Sequence, residues 1–338
     1  MLMTTTAQQM LAAIEEQLGQ AAPALASLQG DMGDMIRYHL GIHVAPAARR
    51  IGHSKRIRPL LLLTAHAALG GDWRAALPAA VAIEYVHGFS LIHDDIEDQS
   101  PLRRGRASLW AVWGVDRALN AGDALFALAF RTLADLAHHF EPRAVIDTYQ
   151  AVTNACVALA AGQELDLAFE HVENVSIDQY LAMAELKTGA LFSAALEVAG
   201  ILAGHSPEVR DDLRAAGRKL GVLFQILDDF HDLFGSPEEL GKPTAQDALR
   251  RKKTLPVVLG LHRDREFAEM WHRLRDDHQG VLPHLRARLL SDSILREAIA
   301  IEERFRAELR SCMERAPFLE AWRPEMLATI HRLVERQR

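Results

Sequence analysis

Apolar residues recur at helical spacing along nearly the whole chain, and that regularity removes most folds from consideration. Leu, Ala, Glu and Arg dominate the periodic segments, while β-branched runs with strict alternation are scarce. A chain written this way forms amphipathic helices and offers strands little to build on. Gly and Pro fall between the periodic segments, as at Pro46, Gly70-Gly71, Gly235-Ser236-Pro237, Gly241-Lys242-Pro243 and Gly280. Residues 60–68 and 122–129 are apolar on more than one side, which predicts helices buried on several faces. No low-complexity linker, charge block or short repeat divides the 338 residues. The expectation is an all-α fold: a single large helical domain of ten or more helices covering 1–338.

Charge narrows the partners. The net charge is −7 and no basic stripe is visible, so no nucleic acid is expected as a ligand. The same balance disfavours docking on an anionic membrane surface. The longest apolar stretch, 190–204, is interrupted by Glu197 and is too short for a transmembrane segment. Residues 1–18 carry Gln and Glu and lack a basic region ahead of an apolar one, so they do not read as a signal peptide. A cytoplasmic location is expected. The two cysteines, Cys156 and Cys312, lie far apart and outside any CxxC pair, and read as reduced thiols.

Two acidic clusters stand out. Each spells DDxxD at the end of an apolar helical run: Asp94-Asp95-Ile96-Glu97-Asp98 and Asp228-Asp229-Phe230-His231-Asp232. On a helix, residues four apart share a face, so Asp94 sits over Asp98 and Asp228 over Asp232. Like charges so placed repel, and cations would offset the repulsion. All-oxygen ligands suit Mg²⁺, which binds through carboxylates together with substrate phosphates. Adjacent aspartates alone mean little: Asp211-Asp212 and Asp276-Asp277 read as solvated helix ends.

Basic residues surround both clusters. Lys55, Arg56 and Arg58 precede the first, and Arg103-Arg104-Gly105-Arg106 follow it. Lys187-Thr188 interrupts an apolar helix between the clusters, and Lys242, Lys252 and Lys253 follow the second. Arg suits bidentate phosphate binding and Lys acts as a point charge. A shared diphosphate accounts for both signs of charge.

These motifs resemble those of the trans-isoprenyl diphosphate synthase (polyprenyl synthetase) family over about 52–256. The GGKRxRP element corresponds to His53-Ser54-Lys55-Arg56-Ile57-Arg58-Pro59, the first aspartate-rich region with RRG to 94–105, and GQxxDL to Gly162-Gln163-Glu164-Leu165-Asp166-Leu167. The KT pair is Lys187-Thr188, and FQxxDDxxD spans 224–232, followed by Gly241-Lys242, Asp247 and Lys252-Lys253-Thr254-Leu255-Pro256. The departures are His53-Ser54 for two glycines, Arg251 for a glycine, and Trp110 for a histidine. They touch loop geometry and remove no charge that the chemistry needs.

The resemblance implies an isoprenoid-synthase helical fold around a central active-site cavity, usually a homodimer. It implies a prenyltransferase that condenses isopentenyl diphosphate with an allylic diphosphate, with three Mg²⁺ per site. Asp94, Asp98 and Asp228 would be metal ligands, and Asp95, Asp229 and Asp232 would support them through water. Arg103, Lys187 and Lys242 would bind the allylic diphosphate; Lys55, Arg58, His87 and Arg104 would bind isopentenyl diphosphate. Thr188 and Gln225 would face the reacting carbons. Phe89 and Ser90, five and four residues before Asp94, would lie roughly 6–8 Å below the carboxylates and set chain length. An aromatic at Phe89 with no extra residues in the first motif resembles short-chain synthases, favouring the C20 product, with C15 second.

Three other readings compete. A class I terpene cyclase would share the cation chemistry but needs no second diphosphate pocket. A non-catalytic regulatory subunit would have lost an aspartate motif. A di-iron protein could use Glu84-Tyr85-Val86-His87 and Glu269-Met270-Trp271-His272, but with 16 histidines such matches arise by chance.

Overall fold

The structure, a computed structural model, describes residues 5–26, 31–42, 56–234, 246–274, 278–290 and 292–335. The expected all-α class holds. In chain order the helices are α1 (Thr5–Ala26), α2 (Met32–Leu40), α3 (Ile57–Ala68), α4 (Leu77–Glu97), α5 (Leu109–Trp113), α6 (Val115–Leu133), α7 (Pro142–His171) and α8 (Ile177–Ala184). They continue as α9 (Ala190–Leu202), α10 (Pro207–Phe234), α11 (Gln246–Leu249), α12 (Leu255–Arg263), α13 (Arg265–Arg273), α14 (His278–Leu289), α15 (Asp292–Arg315) and α16 (Arg323–Glu335). Among the described residues the only strands are β1 (Leu102–Arg103) and β2 (Arg106–Ala107), an antiparallel pair.

The chain packs as two compact units. The first comprises Met1–Asn154, Ala194–Asp211 and Pro317–His331; the second comprises Ala155–Ser193, Asp212–Ala316 and Arg332–Arg338. In the first, α3 runs through the core: every residue from 60 to 68 is buried, as its all-round apolar sequence predicts. Residues 122–129 of α6 depart from that expectation. Gly122, Leu125 and Ala129 are buried, but Asp123 and Ala127 are exposed, so this stretch is amphipathic. Alanine fits either environment and does not mark a buried face.

Local chemistry sets the helix ends that matter. Pro78 stands in the first turn of α4, where its missing N–H costs nothing. Ser176 and Gln179 cap α8 reciprocally, Ser176 Oγ accepting from the Gln179 N–H and Gln179 Oε1 from the Ser176 N–H. Between α8 and α9 the chain widens into a π-helical turn, Glu185–Gly189, which holds the Lys187-Thr188 pair. Gly162 of α7 lies against it: a Cβ there would stand 2.2 Å from the Lys187 nitrogen, so only glycine permits this approach. Gly280 departs from its expected place and lies inside the first turn of α14. Pro46 and residues 235–243 lie outside the described residues.

Candidate functional site

In the first unit, α4 carries Glu84, His87, Phe89, Ser90, Asp94 and Asp95, and ends at Asp98, whose N–H donates to the Asp94 carbonyl at 2.8 Å. The chain then turns into the β1–β2 hairpin. Arg104 and Gly105 both take left-handed backbone, with φ of 54° and 73°, and this tight turn separates two neighbouring arginines. Arg103 turns to the carboxylates. Its Nε and Nη2 donate to Asp95 Oδ1 at 2.8 and 2.6 Å, and Nη2 reaches Asp94 Oδ2 at 3.2 Å. Burial alone would lower the Arg103 pKa, but Asp95 and Asp94 outweigh it and hold it raised. Asp95 is 1% exposed; burial pushes its carboxyl up, against the opposing pull of Arg103.

Arg104 has different company. Burial, Arg103, Arg56 and Arg106 bring its guanidinium down to about 10 against the attraction of Glu84. Burial and then Arg104 and Arg103 lower His39 to about 3. Burial, Arg58 and Arg104 likewise hold His87 well below the ordinary histidine value. Both imidazoles are therefore neutral, and Arg58 Nη1 lies 3.2 Å from His87 Nε2. A cleft lined by Tyr38, His39, Arg103, Arg104 and Arg106 opens here. A place that disfavours its own cations through mutual repulsion favours a bound anion.

Phe89 packs edge-on against His93 and tilted against Phe126, with ring centres 4.7 and 4.8 Å apart, and Phe126 continues to Phe130 at 5.0 Å. The Ser90 hydroxyl donates to the His87 carbonyl at 2.9 Å.

In the second unit, the end of α10 carries Gln225, Asp228, Asp229 and Asp232. Asp228 is exposed, whereas Asp229 and Asp232 are 3% and 5% exposed. Asp229 accepts from the Tyr180 hydroxyl at 2.6 Å, Gln225 Nε2 at 2.7 Å and the Leu255 N–H at 2.8 Å. Burial nevertheless pushes its carboxyl up to about 7, because every one of these donors is neutral. Asp232 Oδ2 accepts from the Asp247 N–H at 3.4 Å. The π-turn delivers Lys187 Nζ to Asp166 Oδ2 at 2.5 Å and the Thr188 hydroxyl to Gln225 Oε1 at 2.5 Å. Lys252 Nζ lies 3.8 Å from Asp166 and 3.9 Å from Asp247.

Each sequence-predicted residue thus falls in one of two settings. Arg58, His87, Phe89, Ser90, Asp94, Asp95, Asp98, Arg103 and Arg104 belong to the first unit; Lys187, Thr188, Gln225, Asp228, Asp229 and Asp232 belong to the second. Lys55 and Lys242 lie outside the described residues. Sequence reading passed over His39, Glu84 and Tyr180, and left Asp166 without a role. Glu84 carried a signal in its spacing to His87, weighed as an iron motif and set aside as a chance match, and Asp166 stood in the GQxxDL element. The structure pairs Glu84 with Arg56 and His87 with Arg58 instead. Glu269 likewise pairs with Arg265.

The donor set fits a hard divalent cation. Asp95 Oδ2 is buried and accepts no hydrogen bond in the structure. Among the described residues no three His, Cys, Asp or Glu side chains converge as a ready ligand set.

Residues 45–285 match the polyprenyl synthetase family. The chain belongs to that family. It is 42% identical over 234 residues to a (2E,6E)-farnesyl diphosphate synthase of Mycobacterium tuberculosis, the match covering 68% of this chain. This chain spans 64% of the length of that relative. Among solved structures it is similar to a geranylgeranyl pyrophosphate synthetase from Pyrococcus horikoshii, 30% identical with a TM-score of 0.84, covering 98% of this chain and 97% of that one. It is also similar to a polyprenyl synthase from Caulobacter crescentus solved with calcium and isoprenyl diphosphate, 28% identical with a TM-score of 0.77, covering 96% and 98%. Among the described residues no helix is long and apolar enough to cross a membrane.

Proposed function

We propose that this member of the polyprenyl synthetase family is a Mg²⁺-dependent trans-prenyltransferase. It condenses isopentenyl diphosphate with an allylic diphosphate to give a short-chain product, geranylgeranyl diphosphate before farnesyl diphosphate. The observation that carries the reading is the parting of Arg103 and Arg104. Arg103 is bonded to a carboxylate cluster; both arginines line the adjoining cationic cleft, where burial and the neighbouring arginines lower Arg104. Two anion-handling places side by side suit an enzyme with two diphosphate substrates. A cyclase has no use for the second.

Asp94, Asp98 and Asp228 would hold the metal ions, three per site, and Asp95, Asp229 and Asp232 would support them. When bound, Mg²⁺ supplies positive charge where the leaving diphosphate develops its negative charge. Arg103, Lys187 and Lys242 bind the allylic diphosphate as fixed cations. Lys55, Arg58, His87 and Arg104 bind isopentenyl diphosphate and orient its double bond toward the allylic carbon. Thr188 and Gln225 present oxygens to the allylic cation, with Asp229 holding the Gln225 amide at 2.7 Å. Apolar surroundings exclude water that would quench the cation. The proton lost on coupling leaves with the departed diphosphate.

Phe89, braced by Phe126, forms the floor that limits the growing chain. The Phe89→Ala variant should therefore give longer products; an active variant with the parent's product length would remove Phe89 from that role. The enzyme works in the cytoplasm as a homodimer. Val115 and Leu119, one turn apart on α6 and 43% and 37% exposed, supply apolar surface for a second copy. The decisive test is product analysis after incubation with isopentenyl diphosphate, Mg²⁺ and each of the C5, C10 and C15 allylic primers. A C20 or C15 diphosphate is expected. A hydrocarbon or alcohol from geranyl diphosphate alone, or no product at all, would sink the proposal.

A further inference from the structure

We infer that Arg56 is a positioning residue for the isopentenyl diphosphate cleft, an inference that rests on the function proposed above. Arg56 caps α3 in left-handed backbone, with φ of 44°, although it has a long side chain and is only 2% exposed. Such a conformation persists only where its surroundings over-determine it. The surroundings here include directed bonds from all three of its guanidinium nitrogens. Nε donates to Glu15 Oε1 of α1 at 2.8 Å, Nη1 to Glu84 Oε1 of α4 at 2.8 Å, and Nη2 to the Leu40 carbonyl ending α2 at 2.6 Å. One planar fork thus ties three helices to the head of α3.

Two residues later Arg58 meets His87. Glu84 and His87 are three apart on α4 and lie on one face. The head of α3 is therefore fastened to α4 at two successive positions: Arg56 on Glu84, then Arg58 on His87. The second pair consists of two residues proposed above to bind isopentenyl diphosphate, and the first fixes their alignment. Glu84, 2% exposed, also attracts Arg104, so the same carboxylate acts on Arg56 and on an arginine of the cleft. Lysine cannot reproduce the fork, because its ammonium is a single point charge without a planar donor array.

The test compares the parent with Arg56→Lys and Glu15→Gln, varying each substrate and measuring Tm alongside. Arg56→Lys should raise KM for isopentenyl diphosphate roughly tenfold, with the allylic KM and kcat held within about twofold. Glu15 stands at the outer end of the fork, 39% exposed, so Glu15→Gln should keep the fold and raise the same KM by about threefold. Calorimetric binding of isopentenyl diphosphate should weaken in the same order. A purely structural Arg56 would lower Tm while leaving the two KM values unmoved or moved equally, and that would overturn the inference. If Arg56→Lys does not fold, unchanged affinity in Glu15→Gln would overturn it. No product from the parent sinks the proposed function; product from a parent whose variants bind normally sinks this inference alone.

Discussion

The two DDxxD clusters share a spelling and differ in what holds their second aspartate. Asp95 and Asp229 are both buried, at 1% and 3% exposure. Asp95 leans on a cation, Arg103, through two bonds. Asp229 leans on a phenol, an amide and a backbone N–H. Burial raises both carboxyls: Asp95 rises against the opposing pull of a cation, and Asp229, opposed only by neutral donors, rises to about 7. In both clusters the first aspartate is more accessible than the second, Asp94 with 21% of its side chain exposed and Asp228 exposed. A repeated motif therefore places its carboxylates the same way twice, an accessible outer one beside a buried inner one, while the partners of the inner ones are built from different chemistry.

The widest test of the shared part is removal of the outer carboxylates. Asp94→Ala, Asp98→Ala and Asp228→Ala should each lower kcat by about 10²–10³-fold or more with the fold intact, as loss of preorganised charge stabilisation does. A near-normal rate for Asp228→Ala at saturating Mg²⁺ would break the equivalence of the clusters. Next in size is the divergence after the first cluster. Arg104→Ala should raise KM for isopentenyl diphosphate roughly tenfold, and Arg103→Ala the allylic KM by a similar factor. Equal effects of either variant on both constants would mean that the hairpin does not part the two substrates.

The contrast between inner carboxylates should appear in stability. Asp95→Asn removes the buried negative charge facing Arg103 and leaves it Asp94, and should cost about 2 kcal/mol in urea unfolding. Asp229→Asn resembles the protonated form that its surroundings already favour, and should cost about 1 kcal/mol. Equal losses would show that the kind of partner is immaterial. The smallest effect is expected outside both clusters. Arg288 brackets Asp264 at 2.7 Å on each oxygen and holds its carboxyl below the ordinary value. A depressed carboxyl contributes stability above the unfolded aspartate pKa of about 4, and loses it as pH falls through its own lower value. Asp264→Asn should lower Tm by about 2 °C at pH 7 and by less at pH 3; a difference independent of pH would contradict this.

Much of the site was legible because helical spacing is local. The fourfold interval that stacks Asp94 over Asp98 is a property of any α-helix, and the polar Lys187-Thr188 in an apolar run announced a break, realised as the π-turn. The amphipathic nature of 122–129 was not legible, since alanine and glycine give no sign of which side faces water. Nor was the partner of Asp229: Tyr180 lies 49 positions away and carries no motif of its own. Glu84 was visible but without a role, because its spacing to His87 was set aside as a chance match and its arginine partner lies 28 positions away.

Periodicity, two DDxxD runs and their flanking bases determined the helical class and the family, both of which depend on neighbours within one or two turns. Tertiary structure alone decided that Arg103 bonds to the first carboxylate cluster, that Asp95 and Asp229 are the buried aspartates, and that Arg56 answers Glu84. Those outcomes follow from desolvation and from hydrogen bonds between distant segments, and both arise only when the chain is packed.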